Sequence, residues 1–303
     1  MLYLFFRISV VLLSLFIIYY FTDFTEIYSL ISNLDIKPIF LAFIIYLVAQ
    51  IVSAQRFVYV ANVLGYQISL IKSIRIHFIS MWFNNFLPTS FGGDAVKASL
   101  FKEQMGWSKA INASLIDRIF GLIFVLISII FLFPFYSYYL KKEIFLLILL
   151  FSLFGVMLVL FLVYISKITK NYELPRWIKI FQDIFLDISL FYKKKFIFQQ
   201  FWVSLIIHFN GIIAYYLIGN ALGLSIDFIY YLLAVPLIFM SALLPFSFSG
   251  WGIREIAAIV IFNVIGVSSE FAVATSILFG LLLMVVSIPG VIFILLNSKI
   301  KEI

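Results

Sequence analysis

The chain has 303 residues, 65% of them hydrophobic and 12% charged, with a formal net charge of +7. Soluble domains are near half apolar and a quarter charged. A chain of this size cannot hide such an apolar excess from water, so a soluble catalytic domain is excluded. Cysteine is absent and only His77 and His208 carry imidazole, which leaves no disulfide framework, no thiolate chemistry and no His-x-x-x-His metal spacing.

A spanning helix needs about 20 mostly apolar residues. Six runs meet this in chain order: Leu4–Tyr20, Ile39–Val60, Ile111–Phe133, Ile144–Ile165, Phe198–Asn220 and Phe271–Leu296. The first lacks a small-residue cleavage site and reads as a retained span. Two further apolar segments are interrupted. Ile74–Phe91 contains Asn84, Asn85 and Pro88 and ends at Gly92-Gly93; Phe228–Phe248 contains Pro236 and Pro245 and runs into Gly250-Trp251-Gly252. Each precedes a short helical stretch, Asp94–Met105 and Ile253–Val264. The one long polar connection, 167–195, carries seven Lys or Arg and sets Trp177, Ile180, Phe181, Ile184 and Ile188 at helical spacing. That pattern is an amphipathic surface helix. The expected fold is an all-α polytopic membrane protein of about six spanning helices plus two re-entrant helical hairpins. It forms a single integral-membrane domain over 1–303: a first half to about residue 166, a cytoplasmic linker over 167–197 and a second half over 198–303.

Basic residues orient it. With the N-terminus cytoplasmic and each interrupted segment returning to its own side, fifteen Lys or Arg fall in cytoplasmic loops, Lys97 among them. Only Lys37, Lys141 and Lys142 fall outside. Lysine and arginine favour the cytoplasmic side, so both termini are expected in the cytoplasm. In this setting the positive charge reflects membrane topology, and no nucleic-acid partner is expected.

The interruptions match each other. Both have Leu-Pro, a short stretch with Ser and Phe, paired or near-paired Gly, then a charge opening a helix. Proline removes a backbone donor and glycine permits left-handed backbone. Unwound backbone at membrane depth survives only inside protein or beside a wet cavity, and such breaks at matching places in two halves point to a transporter site. The two hairpins would enter from opposite sides, as an inverted repeat. Arg56, Asp94, Asp117, Arg118, Arg254 and Glu255 lie in or beside apolar runs. Each is costly in hydrocarbon, so pairing inside the bundle is expected. Neighbours such as Asp117 and Arg118 do not face each other on a helix, so partners should come from other segments. The substrate-binding candidates are Asp94, Arg118, Arg254 and Glu255, with Asp117, Asn84, Asn85, Ser90 and Ser249. Pro88, Gly92, Gly93, Pro245, Gly250 and Gly252 form the hairpins. His77 and His208 read as helix-interface residues ahead of proton relays.

Asn84–Asp94, Ile116-Asp117-Arg118-Ile119-Phe120-Gly121-Leu122 and Leu244–Glu255 together resemble the integral-membrane, flippase-like domain family of lysylphosphatidylglycerol synthases, over about Leu41 to Leu296. The sequence departs from the family pattern at Asp117, where Glu is usual, and at Ser249-Gly250-Trp251-Gly252, where a Gly-Leu-Gly type is commoner. The resemblance implies lipid translocation between leaflets, or a partner role in lipid or polyprenyl-linked sugar pathways. The soluble aminoacyl transferase of the best-known members has no counterpart here, so the chain is not expected to make aminoacylated lipid by itself. The leading expectation is a flippase or transporter of an anionic lipid or lipid-linked intermediate in the cytoplasmic membrane. The alternative is a membrane-embedded accessory or enzyme in lipid or polyprenyl-linked sugar modification. No cofactor, metal site or catalytic constellation is expected. The expected partners are membrane lipids with phosphate headgroups, with a homo-oligomer or a lipid-modifying enzyme as further candidates.

Overall fold

The computed structural model describes residues 2–87, 91–139, 142–242 and 250–296; Pro88, Ser90, Pro245 and Ser249 lie outside the described residues. All regular structure among the described residues is helical. Helices cover each of the six expected runs. They are α1 (Leu2–Phe21), α3 (Ile36–Val63), α6 (Trp107–Phe131), α8 (Lys142–Ile168), α10 (Lys194–Ala221) and the pair α13 (Ser269–Val286) and α14 (Ile288–Leu296). Among the described residues, five helices are long and apolar enough to cross a bilayer, with α13 and α14 taken as one. The chain is therefore an all-α polytopic membrane protein. The last span is expected as one helix but breaks at Ser287. Pro289, in the first turn of α14, has no amide hydrogen to continue α13.

Two short helices escape a search for long apolar runs: α2 (Phe24–Ser32) and α7 (Phe133–Tyr139). Asp23 caps α2, its Oδ1 accepting from the Thr25 amide at 2.7 Å. That backbone hydrogen bond holds the Asp23 carboxyl below its usual range. Asp35 caps α3 in the same way, through the Lys37 amide at 3.0 Å. A cap oxygen satisfies an amide that has no intrahelical acceptor.

The interrupted segments are helical hairpins. The first is α4 (Leu70–Phe86) against α5 (Gly92–Met105); the second is α11 (Phe228–Ala242) against α12 (Ile253–Val264). At 1.5 Å per residue the arms are about 18–26 Å long, each shorter than a hydrocarbon core of about 30 Å. The glycines at the turns work differently. Gly93 has no left-handed angle; its α-carbon lies so close to α4 that a Cβ would sit 2.7 Å from the Ser80 carbonyl oxygen. Gly252 has a φ of 84° and faces Ser14 of α1, so both conformation and space exclude a side chain.

The long helices α3 and α10 form the central packed pair. The Asp35 amide donates to the Ala221 carbonyl at 2.9 Å, and Arg56 reaches Ser204 at 3.4 Å. Moving forward on α3 thus means moving backward on α10, so the pair is antiparallel. Fully buried Ala42, Ala49, Ala54 and Ala61 let α3 approach closely. Several further contacts repeat around this pair. Helix α3 packs on α4 and α10 on α11; α5 packs on α6 and α12 on α13. The first arms cross over, α4 lying against α14 and α11 against α6. Helix α9 (Arg176–Ser189) is the amphipathic linker helix. It buries Ile184 and Ile188 against α8 and α6 and exposes Trp177, Ile180 and Phe181.

Candidate functional site

Four buried or half-buried cations and three carboxylates are brought together by α3, α5, α6 and α12. Asp117 of α6 is the hub of the first group. Its Oδ1 accepts from Arg56 Nε at 2.7 Å and its Oδ2 from Lys97 Nζ at 3.4 Å. All three side chains are less than 10% exposed. Lys97, expected at the cytoplasmic edge as a topology signal, is instead buried. It lies one turn after Asp94 on α5, and the hairpin turns it inward toward α6. Asp94, in the first turn of α5, accepts from Arg118 Nη1 at 2.8 Å, with both side chains about one-fifth exposed. Asp117 and Arg118 therefore find separate partners on other elements, as the neighbour rule requires.

Arg254 breaks that rule. Its Nε and Nη2 donate to Oε1 of the adjacent Glu255, at 3.0 and 2.8 Å. Glu255 bends back over the start of α12, where its Oε2 accepts from the Gly252 amide at 2.6 Å. That reversal brings its carboxylate within reach of the preceding side chain. Ser276 of α13 completes the group, donating to Glu255 at 2.8 Å. Arg254 and Glu255 are both fully buried.

Arg56, Arg118 and Arg254 line one cavity of about 270 Å³. Its remaining wall is largely apolar, with Leu122, Val125, Phe239, Phe279 and Leu283, and includes Tyr46 and His208. Of the candidate residues, Arg118 and Arg254 reach this cavity, together with Arg56. Asp94, Asp117 and Glu255 stand behind the guanidinium groups as partners and do not line the cavity. Asn84 and Asn85 do not line it either. Asn84 Oδ1 accepts from the Gly93 amide at 3.3 Å, and Asn85 donates to Ser287 at 2.9 Å across the break between α13 and α14. The amide side chains secure the first hairpin. Gly92, Gly93, Gly250 and Gly252 shape the turns beside the site.

The sequence marks Arg56 as an intramembrane charge and not as a binding candidate, whereas the structure sets it in the cavity wall. A signal was available: Arg56 lies on the helical face of Ala49 and Ser53, small residues that mark a packed interface. The alternative, a side chain snorkelling to the membrane surface, is contradicted by its burial against Asp117.

The guanidinium groups are cradled in matching ways. Arg118 stacks on Phe91 at 4.2 Å and Arg254 on Trp251 at 4.8 Å, each ring beside a hairpin turn. Arg56 lies over Gly121 of α6 and Arg254 over Gly280 of α13. Arg118 also borders a second cavity of about 280 Å³, between Phe91, α6 and the α9 residues Phe181, Ile184 and Phe185. A third, of about 240 Å³, is an apolar slot between α6, α10 and α11 that shares Val125, His208 and Phe239 with the first. His208 stacks flat on Phe124, and His77 hydrogen-bonds Gln50 at 3.1 Å. Among the described residues no group of three His, Asp or Glu is placed to hold a metal ion.

Similarity to known proteins extends over most of the chain. A UPF0104 membrane protein of Pyrococcus horikoshii is 24% identical over 304 aligned positions, covering 90% of each chain. The family described as the lysylphosphatidylglycerol synthase TM region matches residues 4–290. That match takes in both hairpins, the Asp117-Arg118 helix and all three arginines of the cavity, and the chain belongs to this family.

Proposed function

We propose that the protein moves an anionic lipid, or a lipid-linked intermediate, between the leaflets of the cell membrane. One observation carries the reading: three guanidinium groups from three segments line one largely apolar cavity within a membrane bundle. Guanidinium is suited to phosphate through paired donors in a fixed plane. The apolar wall suits what is attached to it. Three arginines that served only to join helices would have no reason to share a cavity.

The movement would be alternating access about the two hairpins, read as re-entrant segments of an inverted repeat. The reading is supported by the packing. Exchanging α3 with α10, α4 with α11, α5 with α12 and α6 with α13–α14 reproduces the contacts between elements. Each half also sets an arginine on an aromatic ring beside its hairpin turn, Arg118 on Phe91 and Arg254 on Trp251. The fifteen-to-three basic asymmetry favours cytoplasmic termini; moving Lys97 to the buried network leaves fourteen to three.

A lipid-modifying enzyme would need a nucleophile or an acid–base pair facing a pocket. The carboxylates here are turned away from the cavity into ion pairs, which favours transport. Purified protein in vesicles carrying a fluorescent phospholipid is the test. Fluorescence in the outer leaflet is quenched with an impermeant reductant. The loss should exceed the outer-leaflet half seen in protein-free vesicles. Loss equal to that of protein-free vesicles, for every phosphate-bearing lipid tried, would contradict the reading.

A further inference from the structure

We propose that the cavity is built for a headgroup with one net negative charge, a phosphodiester, whose hydrocarbon chain occupies the adjoining apolar slot. This rests on the translocation reading and names the substrate class of the same site.

The charge follows from the residues around the cavity. Asp94 neutralises Arg118 and Glu255 neutralises Arg254. Asp117 is shared between Arg56 and Lys97. Among the described residues, four cations against three carboxylates leave one positive charge. Residues 88–90 and 243–249 contain no ionisable side chain and add no charge to this count. The other buried acid among the described residues, Asp187, is committed to Lys109 and Asn112. A charge out of water without a counterion is unfavourable. Arg56, the cation that shares its carboxylate, is also the one exposed to the cavity from α3. A monoanion there brings the sum to zero. A dianion overshoots, a zwitterion leaves the surplus in place, and a lysylated headgroup adds to it. The lipid for which the family is named is thus a poor match to this cavity.

The tail has a place beside it. The apolar slot meets the cavity at Val125, His208 and Phe239. Its far wall includes Phe131 and Phe209, 79% and 42% exposed on the lipid-facing surface. A chain entering from the bilayer between α6 and α10 would reach the arginines with its headgroup.

Thermal unfolding of the purified full chain in detergent tests this, titrated with five probes. These are phosphatidylglycerol, phosphatidic acid, phosphatidylethanolamine, lysylphosphatidylglycerol and the tail-less diester glycerophosphoglycerol. Phosphatidylglycerol should raise the midpoint at about tenfold lower concentration than the zwitterionic or lysylated lipid. The tail-less diester should require far more. Equal potency of phosphatidylethanolamine or lysylphosphatidylglycerol would overturn the charge assignment. Stronger binding of phosphatidic acid in its dianionic form, or no shift with any lipid, would do the same. Equal potency of glycerophosphoglycerol would overturn the slot. Lys97→Met removes the surplus without touching the cavity wall, and should lower the phosphatidylglycerol-to-phosphatidylethanolamine preference about tenfold. An unchanged preference overturns the proposal; should this variant fail to fold, the wild-type series decides alone. The two readings fail separately. Selective binding without movement in vesicles sinks translocation only, and movement without headgroup preference sinks the charge assignment only.

Discussion

Asp117 and Gly280 show how much depends on single positions. Asp117 holds two buried cations, so Asp117→Asn leaves Arg56 and Lys97 sharing a neutral amide. Breaking a buried pair by removing one partner costs about 3–5 kcal/mol. Asp94→Asn acts on a pair about one-fifth exposed and should cost clearly less, because water screens what remains. Thermal unfolding of the two variants in the same detergent checks the order. Equal losses would mean that the Asp117 hub does not carry the load assigned to it. The glycines give a second pair. At Gly280 a Cβ would collide with the Arg254 guanidinium and come within 2.8 Å of the Trp251 ring, whereas at Gly121 it would lie 3.4 Å from Arg56. Overpacking costs about 1–3 kcal/mol, so Gly280→Ala should destabilise measurably and Gly121→Ala little. The reverse order would place the arginine cradles elsewhere. Residue identity made the intramembrane charges legible in the sequence, but not their pairing. Arg254 binding its own neighbour depends on Glu255 curling over the helix start, which spacing alone does not reveal.

Helix α9 is the element with the most specific attachment. Asp187 accepts from Lys109 at 2.6 Å and from buried Asn112 at 2.8 Å, fixing α9 to the first turns of α6. Its outer face carries exposed Trp177 and Phe181, as an interfacial helix should. Asp187→Ala leaves the Asn112 amide unsatisfied, at about 1–3 kcal/mol, and should speed amide exchange over 176–189 while leaving α3 and α10 protected. Unchanged exchange in α9 would show that its apolar face alone holds it. The long helices and α9 were legible because hydrophobic length and period are properties of one segment. The hairpins were legible from Pro and Gly. Helices α2 and α7 were not, being too short to register as spans, although Asp23 before Thr25 and Glu26 is a readable start signal. The break at Ser287 was signalled by Pro289 and masked by the apolar run around it.

The molecule as a whole makes two claims, an orientation and a binding site. The natural sequence has no cysteine, so single cysteines can be introduced without background. Lys37→Cys should react with an impermeant maleimide on intact cells, and Lys102→Cys only after permeabilisation; the opposite pattern would reverse the topology, and reaction of both on the same side would refute it. The site was partly legible: composition and two interruptions pointed to a membrane cavity with arginines. The place of Arg56 in the cavity and the turning of the acids away from it became visible only when α3, α5 and α6 were packed together, because no local pattern encodes which face of a spanning helix meets which neighbour. The most direct measurement is the initial rate of phosphatidylglycerol translocation in vesicles by wild type, Arg118→Lys and Arg254→Lys at matched protein content. Lysine keeps the charge but loses the planar fork and its stacking on Phe91 or Trp251. Each variant is predicted to fall about tenfold or more while remaining folded, and wild-type rates in both would contradict the headgroup-binding role of the cavity.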